Sequence, residues 1–196
     1  MNTTYSKILA QARREAARYV NLPASESEAL QGYLNEALRA AWFSAPWPGI
    51  LRLEELTPAS RLVDRRLGET DDSAPEIAQV LGVYDLNPRE SDHWDNVEFE
   101  EDGESLVLLE DFAAVWVDYL PPAPDLLLLA GSALDNYEID VRFRAFMAYS
   151  AAARLVRGEG TLSVTASLNS EAEAALAIEQ GRFTPPQRLM QVRMRK

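Results

Sequence analysis

The side chains able to do acid–base or metal chemistry in this chain are abundant in one type only. Its 196 residues include 31 acids, one histidine and no cysteine. Disulfides, thiol nucleophiles and thiolate metal ligands are therefore excluded together. A zinc site built from several histidines cannot be made within one chain either. Carboxylates remain, and calcium is the natural test. An EF-hand loop needs acids at its first, third and fifth positions, glycine at the sixth and a bidentate glutamate at the twelfth. Setting Gly103 sixth puts Glu98, Glu100 and Asp102 at ligand positions, but it leaves Leu109 at the twelfth. Asp102-Gly103 between two apolar runs is better explained as a hairpin turn, because both residues tolerate positive φ. His93 sits in the polar stretch Glu90-Ser91-Asp92-His93-Trp94-Asp95, and Gly131-Ser132 lacks the flanking pattern of a nucleophile elbow. Gly82, Gly103 and Gly131 stand singly, so no phosphate-binding loop is visible. Pairs of carboxylates for glycoside hydrolysis can always be drawn from 31 acids. Abundance alone does not bring two together, and a solvated acidic surface accounts for them. The sequence assigns no catalytic residue, cofactor or metal, and the chain reads as a non-enzyme.

The elements that would position any site come next. Ile8, Leu9, Ala12, Ala16, Tyr19 and Val20 recur at helical spacing and predict a helix over 4–20, stopped at Asn21-Leu22-Pro23. Ser25 and Glu28 have capping-box spacing. Leu30, Leu34, Leu38 and Trp42 follow at intervals of four, until Pro46 and Pro48 end the second helix. From Leu51 to about Leu120 the pattern turns to β spacing. Strands are predicted over 77–86, 97–99, 105–109 and 115–119, with a loop over 65–75. Pro121, Pro122 and Pro124 forbid continuation of the last strand. Asp135 and Glu138 again have capping-box spacing. Ile139, Phe143, Phe146, Met147, Ser150, Ala151 and Leu155 trace one face of a third helix ended by Gly158 and Gly160. Leu162 to Thr165 reads as a short extended piece. A last helix over 170–180, capped by Ser167 or Asn169, closes at Gly181. The fold class expected is α+β: a mainly helical body of about four helices, an antiparallel β insertion between the second and third, and an extended C-terminal arm.

Charge is unevenly spread along this plan. Residues 1–53 carry a net +2, residues 54–140 a net −19 and residues 141–196 a net +5, within a total of −12. A field as negative as that of the middle block repels nucleic acid. Apolar runs such as Leu126 to Ala130 are far too short to cross a bilayer, and the N-terminus has no secretory pattern. The cytoplasm of the cell that makes it is thus the expected compartment. Trp42, Phe43 and Trp47 crowd the end of the second helix. They form either an interface anchor or, as large aromatics favour, a core corner where helix meets sheet. Residues 182–196 hold five basic side chains, two prolines and no acid. There Leu189, Met190, Val192 and Met194 are interleaved with Arg188, Arg193, Arg195 and Lys196. The segment is either an unstructured end or a docking arm that orders against an acidic or apolar partner.

Several stretches together resemble the head–tail connector adaptor family of tailed bacteriophages. The run from Leu38 to Pro48, with Ala41-Trp42 and Trp47-Pro48, is similar to the family's second-helix ending. Arg52 to Ala59 resembles the segment that follows it. Val83-Tyr84-Asp85-Leu86-Asn87-Pro88-Arg89 is similar to a family strand, as is Val115-Trp116-Val117-Asp118-Tyr119 with its prolines. Residues 144–173 look like the closing helical region. The resemblance implies a single adaptor-like domain over 1–181 (helical 1–50, β insertion 51–124, helical 125–181) and a docking arm over 182–196. It also implies a structural role in the neck of a virion. There the subunits form a ring, usually twelvefold, beneath the portal protein; the ring extends the DNA channel and receives a stopper or tail-completion protein. In that family the C-terminal segment commonly docks to the portal, which would give Arg188, Leu189, Met190, Val192, Arg193, Met194, Arg195 and Lys196 their task. DNA would pass the acidic middle without sequence-specific binding, and no membrane is involved. Two alternatives stand beside this reading. One is a DNA-packaging factor whose first two helices form a helix-turn-helix, encouraged by Arg13, Arg14 and Arg18. The other is a small carboxylate-dependent hydrolase.

Overall fold

The computed structural model describes residues 2–21, 27–65, 77–102, 105–159 and 162–182. In chain order its elements are β1 (Asn2–Thr4), α1 (Tyr5–Ala16), α2 (Ser27–Trp42), β2 (Arg52–Leu56), β3 (Leu62–Asp64), β4 (Gln79–Tyr84), β5 (Phe99–Asp102), β6 (Ser105–Leu108) and β7 (Val115–Leu120). A 3-10 turn (Leu126–Leu128), α3 (Gly131–Asp135), β8 (Glu138–Asp140), a second 3-10 turn (Val141–Phe143), α4 (Arg144–Glu159) and α5 (Leu162–Arg182) complete the order. The fold is α+β with antiparallel sheets. The chain divides into two compact units. One holds residues 1–45 and 124–196, the other residues 46–123.

In the helical unit α4 is the central element and packs against α1, α2 and α5. It buries Met147, Ala148, Ala151, Ala152, Ala153, Leu155 and Val156. The run of alanines lets neighbouring helix backbones approach closely, since each presents only a methyl group. Helix α1 buries Tyr5, Ile8, Ala12 and Ala16, and α2 buries Leu30, Leu34, Ala37, Leu38 and Ala41. Both are apolar stripes at the spacing the sequence shows. The first amide of α1 donates to the carbonyl of Tyr137 at 2.9 Å, so that orphan donor is satisfied across the fold rather than by a side-chain cap.

The β unit is built from two three-stranded sheets, ordered β2-β7-β4 and β3-β6-β5. Their shared core holds Val63, Ile77, Val83, Val97, Leu106, Leu108, Val115, Val117 and Tyr119. Alternation along β7 sets the register: Val115, Val117 and Tyr119 face this core while Trp116 and Asp118 face away. A hairpin of β5 and β6 is present as expected, with Phe99 opposite Leu108 and Asp102 opposite Ser105, so Asp102 ends the strand rather than forming the turn. Arg65 ties the end of β3 to residues 77–78. Its guanidinium donates to the carbonyls of Ile77 (3.1 Å) and Ala78 (2.8 Å) and pairs with Glu101 at 3.1 Å.

The structure departs from the sequence reading at several element ends. Helix α1 stops at Ala16, not Val20, and residues 2–4 form a strand. Asp135 and Glu138 do not start a helix. Asp135 ends α3, while Glu138 begins β8, which pairs with β1 through Thr4 opposite Glu138 and Asn2 opposite Asp140. Helix α4 starts later, at Arg144, and Asp140 caps the 3-10 turn before it by accepting from the amide of Arg142. Leu162 to Thr165 is the first turn of α5 rather than an extended piece, and Ser167 and Asn169 lie inside that helix. Gly158 lies within α4 and Gly181 within α5. Ser25, Gly103, Gly160 and most of the arm, with Arg188, Leu189, Met190, Val192, Arg193, Met194, Arg195 and Lys196, lie outside the described residues.

Candidate functional site: a leucine turn held on the second helix

Pro124 resumes the helical unit after the β unit, and the chain then meets α2 in a short turn. Gln31, Asn35 and Arg39 recur at intervals of four, so they form one polar line along α2 beside its buried leucines. This line grips the turn. The Asn35 Oδ1 accepts from the amide of Leu126 at 2.8 Å, a buried bond, and its Nδ2 donates to Asp125 Oδ1 at 3.0 Å. Gln31 Nε2 donates to the carbonyls of Leu126 (2.6 Å) and Leu129 (3.2 Å). Arg39 pairs with the second Asp125 oxygen at 3.2 Å, and Asp125 caps the turn by accepting from the amide of Leu127 at 3.0 Å.

These bonds hold a specific presentation of apolar surface. Leu126 is fully buried and acts as the root of the turn. Leu127 is 56% exposed and Leu128 83% exposed. Two adjacent leucines in water on a fixed backbone form a small preorganised apolar knob. Such groups bind a partner without first having to be ordered. The tip carries no acid, base or nucleophile, so all it can offer is shape and apolar surface.

The aromatic residues marked in the sequence divide. The ring of Trp42 is half-buried and tilts against Phe143 with centroids 6.4 Å apart, inside the helical unit. Phe43 follows it at the surface, 37% exposed. Trp47 is fully buried and belongs to the β unit. His93 lies on an exposed loop, its amide donating to the hydroxyl of Ser91 at 3.1 Å. Among the described residues no group of three or more His, Asp or Glu side chains could hold a metal ion. Two of the three arginines behind the helix-turn-helix alternative, Arg14 and Arg18, lie against the buried carboxylate of Glu15, at 3.4 and 2.6 Å.

A second polar feature lies in the β unit, on the face of β7 turned away from its core. There Asp118 sits opposite Gly82 of β4 and Leu53 of β2. Its Oδ1 is buried without a hydrogen-bond partner among the described residues, and burial raises its pKa against the opposing pull of Arg89. Tyr84 lies across Gly82 on the same face and meets the edge of Trp94 with ring centroids 4.9 Å apart. Burial, and secondarily the charge of Asp118, raise the pKa of its phenol. The β unit as a whole carries nineteen acidic and five basic side chains, a net of −14, whereas the helical unit carries a net of +2. Glu98, Glu100, Glu101, Asp102, Glu110 and Asp111 are exposed on or beside the β5–β6 hairpin.

Sequence reasoning recognised the run Leu126 to Ala130 only as too short for a membrane. The signal that could have found the site was the polar line Gln31, Asn35, Arg39 on an otherwise apolar helix face. Among the described residues no helix is long and apolar enough to cross a membrane. The chain matches no protein-family model and no curated protein sequence.

Proposed function

We propose that this chain is a structural subunit of a bacteriophage neck: an adaptor that assembles as a ring beneath the portal, extends the DNA channel without sequence-specific binding of the DNA, and is joined below to a stopper or tail-completion protein. The observation that carries the reading is the partition of charge. A contiguous β unit with a net −14 interrupts a helical unit of net +2. A surface of that sign facing a passing duplex repels its phosphates at every position, so DNA slides without a sequence-dependent trap. The anchored leucine turn supports the same reading, because a mechanical subunit needs preformed contact surfaces more than a reactive cleft. In this role residues 182–196 extend to the portal, and the ring is twelvefold.

The test is quantitative peptide mass spectrometry on density-purified virions, with tail-less heads as a second sample. Copy numbers on a par with the portal in both samples are expected. Absence from every particle, while the protein is abundant in the lysate, sinks the proposal.

A further inference from the structure

We propose that the outward face of the β2-β7-β4 sheet binds an alkylammonium group, in the corner where the carboxylate of Asp118 meets the rings of Tyr84 and Trp94. The inference goes beyond the adaptor reading and does not rest on it, since it concerns what the purified protein binds, whatever the particle counts show.

Strand register builds the corner. On β7, Trp116 and Asp118 face away from the core; on β4, Tyr84 stands opposite Trp116 and Gly82 opposite Asp118. Gly82 has no side chain, and the phenol of Tyr84 lies across it. Opposed residues of a ladder have Cβ atoms about 4.5–5.5 Å apart, so that hydroxyl stands beside the Asp118 carboxylate. Trp94 then meets Tyr84 almost at a right angle, with 79° between the ring planes. Tyr84, Trp94 and Trp116 are each only partly buried, which leaves aromatic surface on this face open to a ligand.

Charge chooses the occupant. Asp118 is half-buried, and among the described residues no N–H or O–H donates to its carboxylate. Arg89 is the cation whose charge reaches it, yet Arg89 lies exposed and forms no ion pair with it. A carboxylate taken from water without a donor costs stability, and a bound cation offsets that cost. Ring faces within about 6 Å add to the attraction, and the net −14 of the β unit draws cations to its surface. The form of the cation follows from the sealed oxygen. With Oδ1 covered, a guanidinium fork cannot bridge both oxygens, whereas an ammonium is a point charge that needs only one. A lysine side chain of a partner protein and a free amine share this chemistry.

The test is a nuclear magnetic resonance titration of the full chain with Nα-acetyl-lysine methylamide at constant ionic strength. The chain has four tryptophans, and the indole N–H signal of Trp94 is identified by its loss in Trp94→Phe. That signal should shift saturably, with a Kd on the order of 1–10 mM. The norleucine analogue, which has the same stem without the charge, should leave it in place. Asp118→Asn should weaken binding at least about tenfold even as it stabilises the fold, a pairing of signs that a purely structural carboxylate does not give. Glu100→Gln, at an exposed acid of the same unit, should change binding less than about twofold. Butylamine separates the two sources: weaker binding than the lysine probe assigns the corner to a protein's lysine, and equal or tighter binding assigns it to a free amine. No saturable shift, an equal response to the norleucine analogue, tighter binding of the arginine analogue, or equal losses in Glu100→Gln and Asp118→Asn overturns the assignment.

Discussion

Replacing Asn35 by alanine should loosen the leucine turn at its root, and the structure sets the size of the effect. Asn35 is buried, and its two side-chain bonds differ in kind. The Oδ1 satisfies the amide of Leu126 at 2.8 Å in a buried setting, so its loss orphans a donor that water reaches poorly. Leaving such a group unpaired costs about 1–3 kcal/mol. The Nδ2 bond to Asp125, at 3.0 Å, is assisted by the carboxylate charge; it adds about 1 kcal/mol after water compensates. Gln31 and Arg39 still hold the turn from either side, which keeps the loss local. Asn35→Ala should therefore destabilise the helical unit by about 2–4 kcal/mol. Far-UV circular dichroism during urea unfolding is the assay, because all five α-helices belong to that unit. Asn35→Asp keeps the acceptor but faces Asp125 with a like charge. It should be the worse variant at neutral pH and recover in acid. A loss below about 0.5 kcal/mol for Asn35→Ala would mean that the turn is not anchored through this residue, and the case for a preorganised knob would go with it.

Three further outcomes follow from features of the β unit. Burial raises the Asp118 pKa, so the folded protein holds that proton more tightly than the unfolded chain does. The penalty is absent below the ordinary value of 3.8, where both states are protonated, grows between that value and the raised folded-state value, and is constant above it. Asp118→Asn should thus stabilise by about 1 kcal/mol near pH 7 and by nothing near pH 3, read from urea midpoints at the two pH values. Gly82→Ala would place a methyl 2.8 Å from Tyr84 Cζ and closer still to its hydroxyl, forcing the ring off Trp94. A loss of about 1–3 kcal/mol is expected in the parent and much less in a Tyr84→Leu background, measured by thermal unfolding. Arg65→Lys keeps the charge opposite Glu101 but cannot fork to the carbonyls of Ile77 and Ala78. Its destabilisation, about 1–2 kcal/mol by urea titration, should approach that of Arg65→Ala.

Local pattern made much of this fold legible. The alternation Val115, Val117, Tyr119 located β7 and its inner face, because a strand buried on one side has a period of two. The dipeptide Asp102-Gly103 pointed to the β5–β6 hairpin, although Asp102 itself pairs with Ser105 inside the ladder. Leu30, Leu34 and Leu38 gave the buried line of α2. What stayed hidden depended on distant partners. Asp135 and Glu138 satisfy a capping-box spacing, but Glu138 belongs to β8, whose partner β1 lies at the other end of the chain. Leu162, Ser163, Val164 and Thr165 lean toward extended structure by propensity, yet packing of α5 on α4 makes them helical. The leucine turn was hidden for the same reason. Five apolar residues in a row carry no periodicity, and only bonds to α2, 90 and 91 residues earlier in the chain, turn them outward as a knob.

The path of the chain through the two units also bears on synthesis. Residues 46–123 are continuous, and their first and last strands, β2 and β7, are direct antiparallel neighbours. A segment that enters and leaves side by side can complete its fold as soon as it clears the ribosome. The helical unit cannot, because α4, the element on which α1, α2 and α5 all pack, is made only after that segment. Vectorial growth therefore holds α1 and α2 without their central partner until the acidic unit is finished. The same adjacency makes residues 46–123 a cassette: evolution, or an experimenter, can exchange it at one point of the helical scaffold without rethreading the rest.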